Sequence, residues 1–435
     1  MEEHRRLNKR EKGLARLLLT TMLIFMTSMV TSERCYADNA EVLPKGRSAI
    51  FIEGKFYLPI DERYGPDGDE EKIAEDFNST LNSNVFPSLS LLEAAFGLPA
   101  GSANIGRSIV SYEYNVNIIE FNYAYGITDE LSIGIKLPYW DFENKVEAAL
   151  DSTSASFGKN PFFGVAPAPL GTAPLAPVGP PFNGVRLTTE DAQNLIGKGL
   201  DVNGDGRIDI PGYGFDPIKS WSRSGISDIE GMLRYQCYKS ENWRLAMTGG
   251  IRFPTGREDD PDSLVDYPFG TGAWAGLFRV HSDYIGTKNL MISATLKYDL
   301  YLPDHKVMRI PNDVNQPLTR NKEEVDRDIG DFFEFEMSGT YEFYQGFSFF
   351  LLYKFGYKWR DDISGSMGFS YDVAEAETNA KEHVYIVGLE YSTIPLYLEK
   401  KFSIPIRAFV GYRDRFAGEN LLKSDYLNIL LTVYF

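Results

Sequence analysis

The last ten residues of the chain alternate strictly between two faces. One face is entirely apolar and consists of Leu427, Ile429, Leu431, Val433 and Phe435. Most globular chains end in a frayed polar tail, whereas an outer-membrane barrel pairs its last strand with its first so that no sheet edge is left in lipid. The alternative interpretation of this pattern is the C-terminal strand of a soluble β-sandwich. The pattern predicts a closing barrel strand, with Phe435 as the signal that the barrel-assembly machinery recognises.

The first 37 residues have the features of a secretory signal peptide. Basic residues are concentrated between residues 2 and 16, and an apolar run broken only by Thr and Ser follows from Leu17 to Val30. That run is too short to span a bilayer with ease and has the length typical of a signal. Cys35 and Ala37 predict cleavage before Asp38. We therefore expect the general secretory pathway of a Gram-negative-type bacterium to export residues 38–435.

Charge and cysteine content narrow the class of protein. The formal net charge is −17, and the basic signal peptide makes the mature chain still more acidic, which argues against nucleic-acid partners. Cys237 is the one cysteine left after cleavage, so no intramolecular disulfide can form. No apolar run of 18 residues follows the signal, which excludes helical spans but not tilted strands of about 9 to 11 residues.

Twelve segments with one apolar face recur along the mature chain. The clearest covers residues 347–359, where seven successive positions on one face are apolar or aromatic. Such a face covers the hydrocarbon band and places aromatic rings at its margins. Residues 107–125 change their alternation near Ile118 and Ile119, which is compatible with a β-bulge. The twelve segments are 47–58, 107–125, 130–142, 225–239, 243–255, 271–282, 288–302, 328–344, 346–360, 382–392, 401–413 and 425–435.

The connections between these segments alternate between long and short. Residues 59–106, 143–224 and 303–327 are long connections, whereas residues 126–129 and Gln345 are tight turns. Outer-membrane barrels show this asymmetry, with short periplasmic turns and long extracellular loops, and a soluble sandwich has no reason to sort its loops in this way. The sequence therefore predicts an all-β fold, an antiparallel transmembrane β-barrel of about 12 strands. Both termini are expected in the periplasm, and 143–224 is a long extracellular insertion.

Two further stretches belong to the predicted outer loops. Residues 59–80 are acidic and are interpreted as solvated surface. Residues 161–184 are rich in proline, alanine and glycine, too proline-dense for a central strand, and are expected to lie over the barrel mouth.

The sharpest local motif lies in the 143–224 insertion and resembles the calcium loop of an EF-hand. Gly206 occupies the position of the sharp turn, but Gly212 stands where a bidentate Glu is usual. Calcium prefers six to eight oxygen ligands, so the motif predicts a weak, structural Ca²⁺ site that orders this loop. The alternative is a turn that binds nothing. The candidate ligands are Asp201, Asn203, Asp205, Arg207 through its carbonyl, and Asp209.

Charged residues of both signs fall on the faces opposite the apolar ones and are expected to line the lumen. With Gln345 at a hairpin apex, Glu336 is predicted opposite Lys354. These charges either brace a filled barrel or line a narrow conduit, since twelve strands lie between filled and water-filled barrels. The predicted lumen-lining residues are Lys136, Glu230, Arg234, Arg244, Arg252, Arg279, Lys297, Glu334, Glu336, Glu342, Lys354, Lys358, Arg407 and Arg413.

No catalytic residues are predicted, and the chain is not expected to be an enzyme. His281 and Ser282 are adjacent on a strand and point to opposite faces. A lipid hydrolase in an outer-membrane barrel needs a serine and a histidine together on the lipid-facing wall. His383 is the one histidine predicted there, and the sequence shows no partner for it.

Three stretches carry a resemblance to a known family. They are Tyr125–Pro138 (YGITDELSIGIKLP), Gly225–Tyr235 (GISDIEGMLRY) and Gly250–Gly256 (GIRFPTG). Over about residues 107–435 the chain resembles the outer-membrane transporters named for the MetA-pathway (meta-cleavage) of phenol degradation. The resemblance implies passive movement of small organic, often aromatic, molecules across the outer membrane, with no catalytic residues to carry over.

The sequence thus predicts an outer-membrane channel or passive transporter whose partners are membrane lipid and a small solute. The first alternative is a non-conducting barrel that displays its loops for surface binding. A second and less favoured alternative is an outer-membrane lipid hydrolase. The charged lumen suits polar or anionic solutes better than oily ones.

Overall fold

The computed structural model describes residues 38–287, 289–313 and 318–435. The predicted signal peptide, residues 1–37, lies outside the described residues. In the described chain, twelve antiparallel strands pair in chain order around a closed ring, as the sequence predicts. They are numbered β1 (Ser48–Tyr57), β2 (Asn104–Gly126), β3 (Leu131–Asp151), β4 (Ile229–Lys239), β5 (Trp243–Phe253), β6 (Ala275–Thr287), β7 (Leu290–Tyr301), β8 (Phe332–Tyr344), β9 (Phe347–Lys358), β10 (Ala380–Ser392), β11 (Ile406–Glu419) and β12 (Tyr426–Tyr434).

The ring closes where the last strand meets the first. In the β1–β12 pair, Tyr434 lies opposite Ala49 and Tyr426 opposite Tyr57. Beyond it, Phe435 and Ser48 exchange backbone hydrogen bonds of 2.8 and 2.9 Å. The predicted seam is confirmed, and every barrel strand therefore has two neighbours.

The barrel strands bury one face and expose the other. On β9, Leu351 is 51% exposed while its neighbour Leu352 is 2% exposed. Large exposed apolar side chains recur on the outward face of the other strands, which provides the lipid-facing belt that a transmembrane barrel requires. No helix in the described part of the chain is long and apolar enough to span a membrane.

The β2–β3 hairpin is longer than predicted and contains no bulge. The two strands have 23 and 21 residues, and their register is unbroken from Arg107 opposite Asp151 to Gly126 opposite Ser132. The same alternate residues face inward throughout. The inward side chains are polar at Glu120 and Asn122 but apolar from Ile118 back to Val110. In the sequence, this difference in polarity has the same appearance as a shift in which residues face inward. The bulge considered at Ile118–Ile119 is wrong.

The upper part of this hairpin supports a packed extracellular layer. Its inward apolar side chains, such as Tyr114 and Phe142, join a buried cluster with side chains from several long loops, including Phe77 and Tyr267. Phe142 and Tyr267 stack with ring centroids 4.6 Å apart. The outer loops therefore have a hydrophobic core of their own instead of lying as separate solvated strands of chain.

Short elements complete this layer and the loops. The 143–224 insertion starts later than predicted, because β3 continues to Asp151, and its last part pairs with β3 again. Two short helices, Ser90–Phe96 and Thr189–Ile196, belong to the layer, and the second begins with a capping box at Thr188. The remaining elements are the strands Glu62–Tyr64, Glu70–Lys72, Thr80–Asn82, Phe157–Lys159, Leu175–Pro177, Gly199–Leu200, Ile210–Pro211, Trp221–Ile226, Asp304–Arg309, Lys322–Asp328, Asp362–Ser364 and Leu421–Leu422, the 3-10 helices Glu75–Phe77 and Pro87–Leu89, and the helices Tyr371–Glu375 and Ile394–Leu398.

The acidic run 59–80 is only partly the solvated surface that the sequence predicts. Asp76 is 4% exposed and forms an ion pair with Arg63, which is 1% exposed. Glu71 also pairs with Arg63, at 2.7 Å. Part of this run is therefore a buried, charge-paired element of the extracellular layer.

Candidate functional site

The barrel lumen holds a stretch of chain that precedes the first strand. Residues 38–47, here called the N-terminal segment, enter from the end that carries the short turns. Arg234 binds the Asp38 carboxylate at 2.8 Å, Gln236 donates to the Ala40 carbonyl at 2.6 Å, and the Ala40 amide donates to Asp283 at 3.1 Å. Sequence reasoning placed this segment in the periplasm and did not detect its position inside the barrel.

Beyond the tip of this segment, the lumen is crossed by buried ion pairs that we call the charged layer. On one side of the barrel, Lys136 pairs with Glu230 at 3.1 Å. Arg252 contacts both Glu230, at 2.9 Å, and Asp299, at 2.8 Å. Arg279 also pairs with Asp299. Each of these side chains is less than one tenth exposed, so every charge is neutralised by partners and not by bulk water.

The charged layer continues around the ring on β7 to β10. Lys297 lies 2.8 Å from Glu334 and 2.7 Å from Glu336. Lys354 lies 3.1 Å from Glu334 and 2.9 Å from Glu382. These pairs alternate in sign from strand to strand, as buried charges must if each is to keep a partner.

The charged layer leaves little room for a solute. A cavity of about 20 Å³ lies among Asp38, Arg252, Lys297 and their neighbours, which is the space of about one water molecule. Lys297 also lies 3.3 Å from Asp38, so the N-terminal segment is joined to the layer. At this side of the charged layer the open space is therefore about that of one water molecule.

Below the charged layer the lumen widens into a cavity of about 800 Å³, here called the vestibule. This volume is in the range of small-molecule sites. Phe51 and Leu430 line one wall and pack with inward-facing Phe350 and Phe409. The wall on the other side carries basic residues such as Arg244. The vestibule is therefore apolar on one side and basic on the other.

The structure brings most of the predicted lumen residues together. The charged layer contains Lys136, Glu230, Arg252, Arg279, Lys297, Glu334, Glu336, Lys354 and Arg413. Arg234, Arg244 and Arg407 line the vestibule. Glu336 lies opposite Lys354 in the β8–β9 register, as expected, although its ion pair is with Lys297.

Two predicted lumen residues lie at the ends of the barrel. Lys358 binds Asp361 and the Thr378 carbonyl near the outer rim. Glu342 lies at the β8–β9 turn, where its carboxylate accepts the Gly346 amide at 3.0 Å. Both positions are on the inward face but outside the mid-height layer.

Several lumen residues were missed by sequence reasoning. Lys55 is fully buried and lies 2.9 Å from Glu120, and Glu382 holds both Arg413 and Arg415. The alternation that identified the predicted residues also places these side chains inward. Applying it to every charged residue of β1, β2, β10 and β11 would have found them.

The calcium-like loop closes on itself through hydrogen bonds to backbone amides. Asp201 accepts the amides of Gly204 at 2.7 Å and Gly206 at 2.8 Å. These amides, that of Gly206 foremost, hold the pKa of Asp201 below its usual range. Asn203, Asp205 and Asp209 accept amides in the same manner, and Arg207 donates its amide to Asp205. Among the described residues, no three acidic, histidine or cysteine side chains converge as a metal-binding group.

The histidines have partners of several kinds. His383 and the Tyr353 hydroxyl share a hydrogen bond of 2.8 Å. This partner is a tyrosine and not the serine that a lipid hydrolase needs. His281 is buried between Thr248 and Thr295, and His305 lies 2.6 Å from Asp326.

Comparisons with known proteins support the resemblance seen in the sequence. A family model described as "Putative MetA-pathway of phenol degradation" matches residues 182–389. The resemblance to this family is confirmed. No match was found among curated proteins.

Solved structures of several outer-membrane proteins are similar to this chain. An outer membrane channel from Pseudomonas putida F1 is 11% identical, with a TM-score of 0.48, 91% of this chain covered and 98% of that chain. A FadL homologue from Pseudomonas aeruginosa is 8% identical, with a TM-score of 0.33 and 90% of each chain covered. The toluene transporter TbuX of Ralstonia pickettii is 10% identical, with a TM-score of 0.34 and 90% of each chain covered. Similarity this low carries no argument about function. The assignment of the fold as a barrel depends on the strand pairing of this chain itself.

Proposed function

We propose that this chain is an outer-membrane channel that lets small organic solutes, aromatic ones among them, pass without a catalytic step. The observation that carries the proposal is the vestibule, a cavity of about 800 Å³ inside a closed barrel. Its partly apolar wall suits the ring or alkyl part of a solute, and its basic wall suits a polar substituent. Membrane lipid and a small solute are the partners that this architecture needs.

Passage requires the lumen to rearrange. The N-terminal segment and the charged layer both lie in the path of a solute, and the layer holds a cavity of only about 20 Å³. Most of the segment's contacts with the barrel are hydrogen bonds and partly exposed ion pairs. Such contacts exchange with water more readily than packed apolar surface does, so the segment is the element that we expect to move first.

Liposome swelling with the purified full chain tests the proposal. We expect vesicles that contain the protein to admit small aromatic solutes such as benzyl alcohol and benzamide faster than protein-free vesicles. We also expect a bulky solute such as sucrose to be admitted more slowly, because the barrel is narrow. Equal rates with and without protein for every solute would contradict the channel.

The packed extracellular layer favours a second candidate function. Its apolar core gives the loops a fixed surface on the outer face, as a barrel that displays its loops for surface binding would need. Planar-bilayer recordings separate the two functions. Absence of conductance even after removal of residues 152–220, which leaves β3 and its partner strand Trp221–Ile226 intact, would support display, whereas channel activity would exclude a purely non-conducting barrel.

We further propose that Ca²⁺ orders the loop from Asp201 to Asp209. The support is the oxygen pattern of the sequence and the charged, amide-bonded state of Asp201. Affinity of about 10⁻⁴ to 10⁻³ M is expected, as in extracellular modules. We expect a chelator to accelerate proteolysis between residues 199 and 212, and Asp201→Asn with Asp205→Asn to remove the difference. Identical cleavage with calcium and with chelator would contradict the site.

Export and assembly are proposals of the same kind. Residues 1–37 have the composition of a secretory signal. Phe435 directly follows the strand that closes the barrel and continues its pairing with β1 through Ser48, which suits recognition by the assembly machinery. Insertion of a chain without Phe435 into vesicles that contain this machinery measures its contribution.

A further inference from the structure

One carboxylate of the N-terminal segment is held between opposite walls of the barrel. Glu41 lies 2.6 Å from Arg244 of β5 and 3.8 Å from Arg407 of β11. β5 and β11 are six strands apart in a ring of twelve, so the two guanidinium groups approach the same carboxylate from opposite sides. The three side chains are between 20% and 40% exposed, so this contact lies in the open vestibule and not in the sealed charged layer.

The fixed walls around Glu41 are predominantly basic. In the described chain, Glu41 is the one carboxylate within ion-pair distance of Arg244. Lys239 lies opposite Arg244 in the β4–β5 register. On the other wall, Arg407 also contacts Glu390 at 3.3 Å. Three cationic side chains of the barrel, those of Lys239, Arg244 and Arg407, therefore line the vestibule around Glu41.

Asp283 also lies close to Arg244, but its carboxylate does not line the vestibule. It is the neighbour of Arg244 on β6, but it is fully buried and its carboxylate accepts the Ala40 amide. The accessible position that favours a negative charge is therefore the one between Arg244 and Arg407, where the Glu41 carboxylate lies.

The vestibule offers an apolar surface to the same occupant. Phe51, Leu430 and Tyr434 line the cavity that also contains Arg244 and Arg407. A molecule with a carboxylate and a compact apolar body would thus find both halves of its surface matched in one cavity.

We propose that Arg244 and Arg407 form a carboxylate subsite for small organic acids with an aromatic or alkyl body, and that Glu41 occupies this subsite in the closed conformation. This inference rests on the proposed channel function, because the acid must replace Glu41 on its way through the lumen. Glu41 is then a competitor tethered to the site, present at an effective concentration on the order of millimolar.

Binding of benzoate and benzamide to the purified full chain in a neutral detergent tests the subsite. The two molecules have the same ring and nearly the same size, but only benzoate is charged. We expect Glu41→Gln to strengthen benzoate binding roughly tenfold, as loss of a charged competitor would, and to leave benzamide binding unchanged. Glu241→Gln is the matched control, since Glu241 is an exposed residue of the short turn between β4 and β5.

A second set of variants separates the subsite from a general effect of charge. Adding Arg244→Gln or Arg407→Gln to Glu41→Gln is expected to remove the gain for benzoate. Equal responses to benzoate and benzamide in all variants would overturn the subsite, whatever the outcome of liposome swelling. Benzoate binding that follows these expectations in a protein without any swelling activity would instead overturn the channel and leave the subsite as a binding site.

Discussion

Replacing Lys354 by methionine is expected to lower the free energy of unfolding by about 3 to 5 kcal/mol, the usual cost of breaking a buried ion pair. Lys354 is fully buried and lies 3.1 Å from Glu334 and 2.9 Å from Glu382. Its removal leaves two buried carboxylates with fewer partners. Urea unfolding of protein refolded into phospholipid vesicles, followed by tryptophan fluorescence, measures the change.

The partners of the two carboxylates determine where in this range the result falls. Glu334 keeps Lys297 and Glu382 keeps Arg413, so we expect a value near the lower end. Lys381→Met is the matched control, because Lys381 is 37% exposed and pairs with Glu419 at the barrel surface. Exposed pairs contribute about 1 kcal/mol or less. A loss for Lys354→Met no larger than that of this control would show that water reaches the charged layer.

A second pair of variants distinguishes charge balance from packing. Lys354→Met leaves the buried Glu334 carboxylate without one of its cationic partners. Adding Glu334→Gln removes the negative charge of that carboxylate. We therefore expect the double variant to be more stable than the sum of the two single effects predicts. Additive losses would indicate that Lys354 acts through its packed alkyl chain and not through its charge.

The strand ring was predictable because lipid imposes a strong pattern. A strand such as 347–359 must present apolar side chains to the membrane at every second position, and no other local preference competes. The tight turn at Gln345 fixed the register, so Glu336 was expected opposite Lys354 and lies there. Ion-pair partners were less predictable, because long side chains reach diagonally. Glu336 therefore binds Lys297 on the other neighbouring strand.

The same reasoning failed where apolar residues occupy both faces of a strand. Ile118 faces inward beneath the extracellular layer, and its apolar character was interpreted as a change of phase. Phe350 and Leu352 also face the lumen, where the alternation of residues 347–359 places them, although the lumen as a whole was expected to be charged. A continuous apolar run on a barrel strand is the signal that could have revealed these inward patches, since lipid requires only one face to be apolar.

The N-terminal segment could not be predicted from its residues. Asp38 and Glu41 lie in a short polar stretch without periodicity. Their partners Arg234, Arg244 and Arg407 are about 200 or more residues away in the chain. Contacts of this kind follow from the closed ring, which brings the N-terminal segment, the middle strands and the last strands around one lumen, and not from any local preference.

Deleting residues 38–43 and opening the charged layer are expected to act together on conductance. The two obstacles lie in series along the lumen, so either one alone still restricts the ion current. Removing the segment alone leaves the layer with its cavity of about 20 Å³. Opening the layer alone leaves the segment bonded to Arg234 and Gln236. Each single change is therefore expected to raise conductance modestly, and the combination to raise it much more than their product.

The layer is best opened by removing a balanced pair of charges. Lys297→Ala with Glu336→Ala removes one cation and one anion that bind each other at 2.7 Å. Glu334 keeps Lys354, and Asp38 keeps Arg234, so no buried charge loses every partner and the barrel is expected to fold. The cavity that replaces the two side chains joins the small cavity of the layer, which their neighbours line.

Single-channel recording in planar bilayers measures each variant. The matched control combines the deletion with Lys381→Ala and Glu419→Ala, an ion pair of 3.0 Å on the outer surface of the barrel. This control should conduct like the deletion alone, because its charges face away from the lumen. If the deletion alone already gives the full conductance of the combined variant, the charged layer is not a barrier and the N-terminal segment is the one obstacle. If the combined variant conducts no better than the intact protein, the extracellular layer seals the barrel, as the display function requires.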